Sequence, residues 1–319
     1  RDLIVTGVQT CALPILKHAP SSGAAVWTRG REGLAEPCPL EELACLAPGW
    51  KASLTRFAPW REEGDFTQSR HETGRMGPPI VICGACSSSL DVGWALAGED
   101  ALPEWGSVLA VSQRKGRGQL RRQWSSPPGN VYAAWAWPGA TGLLDALAPL
   151  LAGLVVAEFL ETRGVAAEIK WPNDILIAGR KAGGVLLEER GGRVLAGIGL
   201  NLASAPDAAT LRTGAAAPAG ILGEYGVTDD PLGLWSALVN FGQSCYRSCV
   251  SATFPGDVIS RIERRLAWRG REVRVEEAGE AAYRARVLGL AEDGGLRLAR
   301  PDKGLLSVTV LHSGSVSLP

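Results

Sequence analysis

Lys170-Trp171-Pro172-Asn173-Asp174, followed by Arg180-Lys181-Ala182-Gly183-Gly184-Val185-Leu186, is the stretch from which the fold can be read. It sets two lysines, a Pro-stiffened turn and an amide/carboxylate pair among apolar runs. The run before it, Thr141 to Arg163, has the length of a helix and is ended near Gly164. Asp174-Ile175-Leu176-Ile177 and Gly184-Val185-Leu186-Leu187 have the length of short strands. Buried strands hold a lysine ammonium only where a phosphate, a carboxylate or a carbonyl meets it. The spacing therefore predicts a site that grips an anionic ligand together with a metal ion.

Upstream lies a basic loop, Gln113-Arg114-Lys115-Gly116-Arg117-Gly118-Gln119-Leu120-Arg121-Arg122-Gln123-Trp124. Five cations fall between Arg114 and Arg122, and no acidic residue occurs from Trp105 to Leu144. Gly116 and Gly118 allow consecutive N–H groups to converge on an anion, and arginine offers a planar fork for phosphate or carboxylate. A solvated loop or a nonspecific nucleic-acid contact would use the same residues. The flanking strands, Ser107 to Val111 and Val131 to Trp135, favour a ligand loop at a sheet edge.

Together these residues resemble the biotin protein ligase family. Its members carry Gly-Arg-Gly-x-x-Gly-Arg-x-Trp, Lys-Trp-Pro-Asn-Asp, Lys-x-x-Gly-[Ile/Val]-Leu and Gly-x-Gly-x-Asn in that order. Here the first reads Gly116 to Trp124 with Arg121 in place of the second glycine. The other three are intact, the last as Gly197-Ile198-Gly199-Leu200-Asn201. Ser88-Ser89-Leu90-Asp91 stands where the family has a Ser-Thr-Asn type segment, in degenerate form. Gln119 removes a cation that some members have, and Leu90 offers no polar side chain. The resemblance runs from about Pro79 to the C-terminus, about three quarters of the chain.

The resemblance implies an ATP-dependent ligase that makes biotinyl-5′-AMP and passes biotin to a lysine of a biotin carboxyl carrier domain. Lys170, Lys181, Arg117 and Asp174 are the expected catalytic residues. Ser88, Ser89, Gln113, Arg117, Gly118, Gln119, Lys181 and Gly184 would take biotin. Gly116, Arg122, Trp124, Lys170, Asn173 and Asn201 would take ATP, and Asp174 would face Mg²⁺. ATP and Mg²⁺ enter as co-substrates, with no tightly bound prosthetic group. The expected partners are the carrier domain, biotin and ATP, with no DNA and no membrane; a homodimer is one expected assembly. A lipoate–protein ligase and a biotin-sensing DNA-binding repressor are the competing readings. The Lys-Trp-Pro-Asn-Asp form speaks against the first. Zero net charge and the lack of a readable helix-turn-helix speak against the second.

Composition sets the outer bounds. With 46% hydrophobic and 21% charged residues over 319 positions, the chain reads as globular with room for more than one domain. Seven scattered cysteines, an odd number, fit reduced thiols and a cytoplasmic location better than a disulfide framework. Cys83-Gly84-Ala85-Cys86 lacks a second pair at zinc spacing. Arg1 to Leu16 looks like translated sequencing adapter and is set aside.

The expected fold is α+β: residues 1–77 of unclear fold with a short helix near Leu40 to Leu46, a mixed-sheet catalytic domain over 78–267, and an SH3-like barrel over 268–319. Ser88 and its neighbours would cap a helix over Leu90 to Ala97, and helices are expected over Pro231 to Val250 and Val258 to Ala267. Ala203 to Gly220 reads as a loop. From Arg271 the period falls to two, with Glu292-Asp293-Gly294-Gly295 as a hairpin turn between strands.

Overall fold

In the computed structural model the described residues are 20, 22–69, 77–119, 122–139, 143–206, 217–251, 255–302 and 305–319. The adapter-like stretch Arg1 to Leu16, the Arg121 departure, Thr141 and the middle of the Ala203 to Gly220 loop lie outside them. The stretch before Gly77, unread from sequence, supplies β1 (Ala24–Trp27), α1 (Leu40–Leu46), α2 (Pro48–Arg56), β2 (Trp60–Glu63) and β3 (Phe66–Ser69). Then follow β4 (Ile80–Cys86), α3 (Ser89–Gly98), β5 (Ser107–Gln113) and β6 (Val131–Trp137). Two helices, α4 (Leu143–Ala146) and α5 (Ala148–Glu161), precede the strands β7 (Ala167–Lys170), β8 (Asp174–Ile177), β9 (Arg180–Arg190) and β10 (Arg193–Leu200).

Among the described residues these ten strands form one mixed sheet in the order β2-β3-β1-β4-β5-β6-β10-β9-β8-β7. β1 and β4, and β4 and β5, run parallel; the remaining pairs are antiparallel. Strand alternation sends side chains into two cores. Ile80, Ile82, Leu109 and Val111 face the core built with α5, whereas Val81, Cys83, Val108 and Ala110 face the core under α3. That two-sided burial is why the central strands read as continuous apolar runs.

Several expectations shift by a few residues, each for a local reason. The single helix over Thr141 to Arg163 is broken at Leu147, because Pro149 sits in the first turn of α5 and has no N–H to continue a preceding helix. Helix α6 (Pro231–Val250) has the expected bounds, with Asp230 capping Gly233 N at 2.7 Å. The next helix, α7 (Pro255–Glu263), ends four residues early. Arg265 and Ala267 instead exchange backbone hydrogen bonds with Ile169 of β7, at 2.7 and 2.9 Å.

The C-terminal unit holds β11 (Glu272–Glu276), β12 (Tyr283–Leu290), β13 (Leu296–Asp302), β14 (Leu305–Leu311) and β15 (Ser315–Ser317). Their antiparallel order is β14-β13-β12-β11-β15. Among the described residues no ladder joins β14 to β15, so the expected barrel is an open five-stranded sheet. The predicted hairpin turn is present, with Gly294 at φ +83° and its neighbour Gly295 accepting from Ala291 N at 2.8 Å. No helix of the described residues is long and apolar enough to cross a membrane.

Candidate active site

The site begins where β7 ends. Lys170 and Asp174 are register partners across the β7–β8 pair, so both side chains leave the same face of the hairpin. Between them Trp171-Pro172-Asn173 turns the chain, with Asn173 N donating to Lys170 O at 3.1 Å. Asn173 then ties the turn to β9: its side-chain amide donates to Val185 O at 2.6 Å, and Val185 N donates to Asn173 O at 2.9 Å. β9 carries Lys181 to the same carboxylate. Lys181 Nζ lies 2.5 Å from Asp174 Oδ1 and Lys170 Nζ lies 3.0 Å from Asp174 Oδ2.

One carboxylate between two ammonium groups leaves the cluster net positive. Burial alone would push the Asp174 carboxyl up, but Lys181 and Lys170 together hold it below the usual carboxylate range. Each lysine also has an aromatic face near it: Trp268 lies 5.6 Å from Lys170 Nζ and Trp124 lies 5.2 Å from Lys181 Nζ. Asn201 works from behind. Its amide donates to Lys181 O at 3.3 Å and to Gly220 O at 3.2 Å, fixing the backbone from which Lys181 projects.

The basic loop closes on itself over this cluster. Gly118 N donates to Arg122 O and Trp124 N to Gly116 O, each at 2.8 Å, and Arg117 bridges Gln123. Two register partners, Gly184 of β9 and Gly199 of β10, make the bed for the Trp124 ring. A Cβ at Gly199 would come within 2.7 Å of the indole and one at Gly184 within 3.3 Å. The glycines of two separate motifs are thus needed by the tryptophan of a third. Gly116 is needed for close approach as well, since a Cβ there would meet Trp124 O at 2.5 Å.

The serine turn meets the loop at Gln113. Gln113 Oε1 accepts from Ser89 N at 2.7 Å and its amide donates to Ser126 Oγ at 2.8 Å. Ser88 caps α3, its hydroxyl accepting from Asp91 N at 3.0 Å, as the serine cluster predicted. Arg117, expected in the biotin site, is also held by two acids of the protein. Its guanidinium pairs with Asp91 at 2.5 Å and with Glu188 of β9 at 3.1 Å. Burial alone would lower the Arg117 pKa, but hydrogen bonding to Asp91 and the charge of both acids raise it. Glu188 also accepts from the Trp94 indole at 2.7 Å and from Arg190 at 3.0 Å.

These walls enclose a cavity of about 340 Å³, suited to a ligand of cofactor size. Of the expected biotin residues, Ser88, Ser89, Gln113, Arg117, Gly118, Gln119, Lys181 and Gly184 all line it. Of the expected ATP residues, Arg122, Trp124, Lys170, Asn173 and Asn201 line it, whereas Gly116 does not. Asp174 also lines it, with both oxygens engaged by lysines. Sequence reading missed Asp91 and Glu188, whose partner is 26 and 71 positions away, and the Gly314-Ser315 turn at the cavity rim. Among the described residues no group of three His, Cys, Asp or Glu side chains could hold a metal ion.

Comparison with known proteins gives sequence and fold relatives. Residues 94–203 match the model of the biotin/lipoate A/B protein ligase family. A biotin–[acetyl-CoA-carboxylase] ligase of Paracoccus denitrificans is 41% identical over 133 residues, covering 39% of this chain and 55% of that protein. The bifunctional ligase/repressor BirA of Bacillus subtilis is 35% identical over 144 residues, covering 43% and 44%. The chain thus spans about half the length of the curated relatives it matches. The solved structure of Aquifex aeolicus biotin protein ligase in complex with biotin and ATP superposes with TM-score 0.61 at 25% identity, over 75% of this chain and 97% of that one. Motifs, mixed sheet and these matches lead to one conclusion: residues 94–203 match the biotin/lipoate A/B protein ligase family, and the chain is similar in sequence and fold to biotin protein ligases.

Proposed function

We propose that this chain joins biotin to ATP as biotinyl-5′-adenylate and then transfers the biotinyl group to a lysine of a biotin carboxyl carrier domain. The observation that carries the reading is the Lys170–Asp174–Lys181 cluster on the wall of a 340 Å³ cavity roofed by the Gly116–Trp124 loop. In the first step a biotin carboxylate oxygen bonds to the α-phosphorus and the bond to pyrophosphate breaks. An anion is brought up to a polyanion, so Coulomb repulsion has to be neutralised before geometry can help. Lys181 and Lys170 supply that charge, and Asp174 holds them in place until the ligand anions arrive. Trp124 adds a flat wall, and among the described residues its buried indole N–H has no acceptor.

In the second step a neutral lysine amine of the carrier attacks the acyl carbon and AMP leaves. The mixed anhydride is already activated, so positioning and exclusion of water are the main tasks of the loop. With both Asp174 oxygens engaged, Mg²⁺ fits best as an ion that arrives on the ATP phosphates, its usual mode in such sites. When bound it would offset phosphate charge.

The test is to incubate the protein with ATP, Mg²⁺ and either biotin or lipoate, following pyrophosphate release and the mass of a biotin carboxyl carrier domain. Biotin-dependent pyrophosphate release and a biotinyl mass gain are expected. Release with lipoate alone would move the reading to a lipoate ligase, and release with neither would end it.

A further inference from the structure

Away from the ligand cavity, the junction of α5, α6 and α7 buries an unusual group. Cys245 and Cys249 stand one turn apart on α6, both buried. Arg261 of α7 grips Glu158 of α5 through two hydrogen bonds, Nε at 2.7 Å and Nη2 at 2.5 Å. Its remaining N–H groups turn to the sulfurs: Nη1 lies 3.4 Å from Cys249 Sγ and Nη2 lies 3.6 Å from Cys245 Sγ. Nη1 also donates to Ser248 Oγ at 2.8 Å, and Cys245 Sγ donates to Glu158 at 3.4 Å. Cys249, Ser248 and Arg261 line a second cavity of about 320 Å³, which Asp257 and Arg264 share.

We propose that Cys245 and Cys249 form a peroxide-reactive dithiol, activated by Arg261 and chemically separate from the ligase pocket. Two sulfurs touching one guanidinium hold a thiolate more easily than an ordinary buried thiol does, and the carboxylate of Glu158 sets which one ionises. Cys245 hydrogen-bonds to that carboxylate and keeps its proton. Cys249, which accepts from Arg261 Nη1, has its thiol drawn below its ordinary pKa against the opposing effect of burial. The cavity gives a small oxidant a route to it.

The reaction balances with hydrogen peroxide as oxidant. The Cys249 thiolate attacks one peroxide oxygen, the O–O bond breaks, and the departing hydroxide takes a proton to become water. Cys245 sulfur then attacks the Cys249 sulfenic acid, forming S–S and breaking S–O. The second hydroxide leaves as water with the Cys245 proton. Two thiols lose two electrons and one peroxide becomes two waters.

The sequence supplies a direct readout. Trypsin cuts after Arg247, between the two cysteines, so only a disulfide can hold fragments 213–247 and 248–261 together. Hydrogen peroxide treatment of the full chain, quenching with N-ethylmaleimide and non-reducing digestion should yield this linked pair, released by dithiothreitol. Arg261→Met, in which the second fragment runs on to Arg264, should lower the yield of the corresponding pair 213–247 and 248–264 at pH 7 by roughly tenfold, as the thiolate fraction falls. If that variant does not fold, Cys245→Ser still decides: peroxide should leave a sulfenic acid at Cys249 that dimedone traps. No linked pair at peroxide doses that oxidise the exposed Cys45, or dimedone labelling confined to Cys245 in a Cys249→Ser protein, would overturn the proposal.

Discussion

Two ammonium groups sharing one carboxylate stay put until a stronger anion arrives, and this governs how single residues will respond. Lys181→Ala should abolish pyrophosphate release while changing the melting temperature little, because Asp174 keeps Lys170 at 3.0 Å. Equal losses of activity and stability would make Lys181 structural. Asp174→Asn should cost about 3 kcal/mol at pH 7, since it leaves two ammonium groups without their partner. The folded Asp174 pKa lies below the unfolded value. Its contribution is therefore complete above the unfolded pKa of about 4 and is lost as pH falls through the folded value. Melting curves of wild type and Asp174→Asn should thus converge below about pH 4, and parallel curves would disprove the linkage. The lysines were legible in the sequence because an ammonium flanked by strand residues calls for an anion. The acids holding Arg117 were not, because a pairing between residues 71 positions apart leaves no local trace.

Elements show a similar division. Amphipathic and apolar periodicity located α6 and most strands of the ten-stranded sheet from β4 onward, and the Gly294 turn located the last hairpins. Strands of four residues such as Ala24-Ala25-Val26-Trp27 carry few positions for periodicity to register, and without a neighbouring motif like the one that marked Asp174 to Ile177, β1, β2 and β3 went unread among Gly, Ser and Pro interruptions. The seat of Trp124 on Gly184 and Gly199 was also invisible, because the register joining two glycine motifs is a tertiary fact. It yields a sharp expectation. Gly199→Ala places a methyl within 2.7 Å of the indole, costing about 1–3 kcal/mol and pushing Trp124 into the cavity. Ligand binding measured by calorimetry should weaken along with the melting temperature. At the start of β6, Asn130 accepts from the backbone N–H groups of Leu202, Ala203 and Ser204 at 2.9, 2.8 and 3.1 Å. Asn130→Ala orphans all three and should cost about 3 kcal/mol in a denaturant titration, whereas a loss under 1 kcal/mol would show the turn to be self-supporting.

At the scale of the whole molecule, the site motif is also a fastener. The Trp171 indole donates to Gly294 O at 3.0 Å, pinning the C-terminal hairpin to the turn between Lys170 and Asp174. Glu263 adds a second pin by accepting from Leu290 N at 2.7 Å. Trp171→Phe should remove about 1–2 kcal/mol and split a single thermal transition into two, the C-terminal sheet melting first. A transition that stays single would mean that the apolar contacts alone couple the two sheets. The sheet extension by β1, β3 and β2 has a different consequence, one of solubility. It converts Ile80-Val81-Ile82-Cys83 from an open, apolar edge into an interior strand, and leaves Trp60-Arg61-Glu62-Glu63 as the border instead. Charged side chains on a short border strand discourage pairing with another copy, whereas a bare Ile80–Cys86 edge would invite it. Residues outside every recognised motif are thus placed to guard the sheet against self-association.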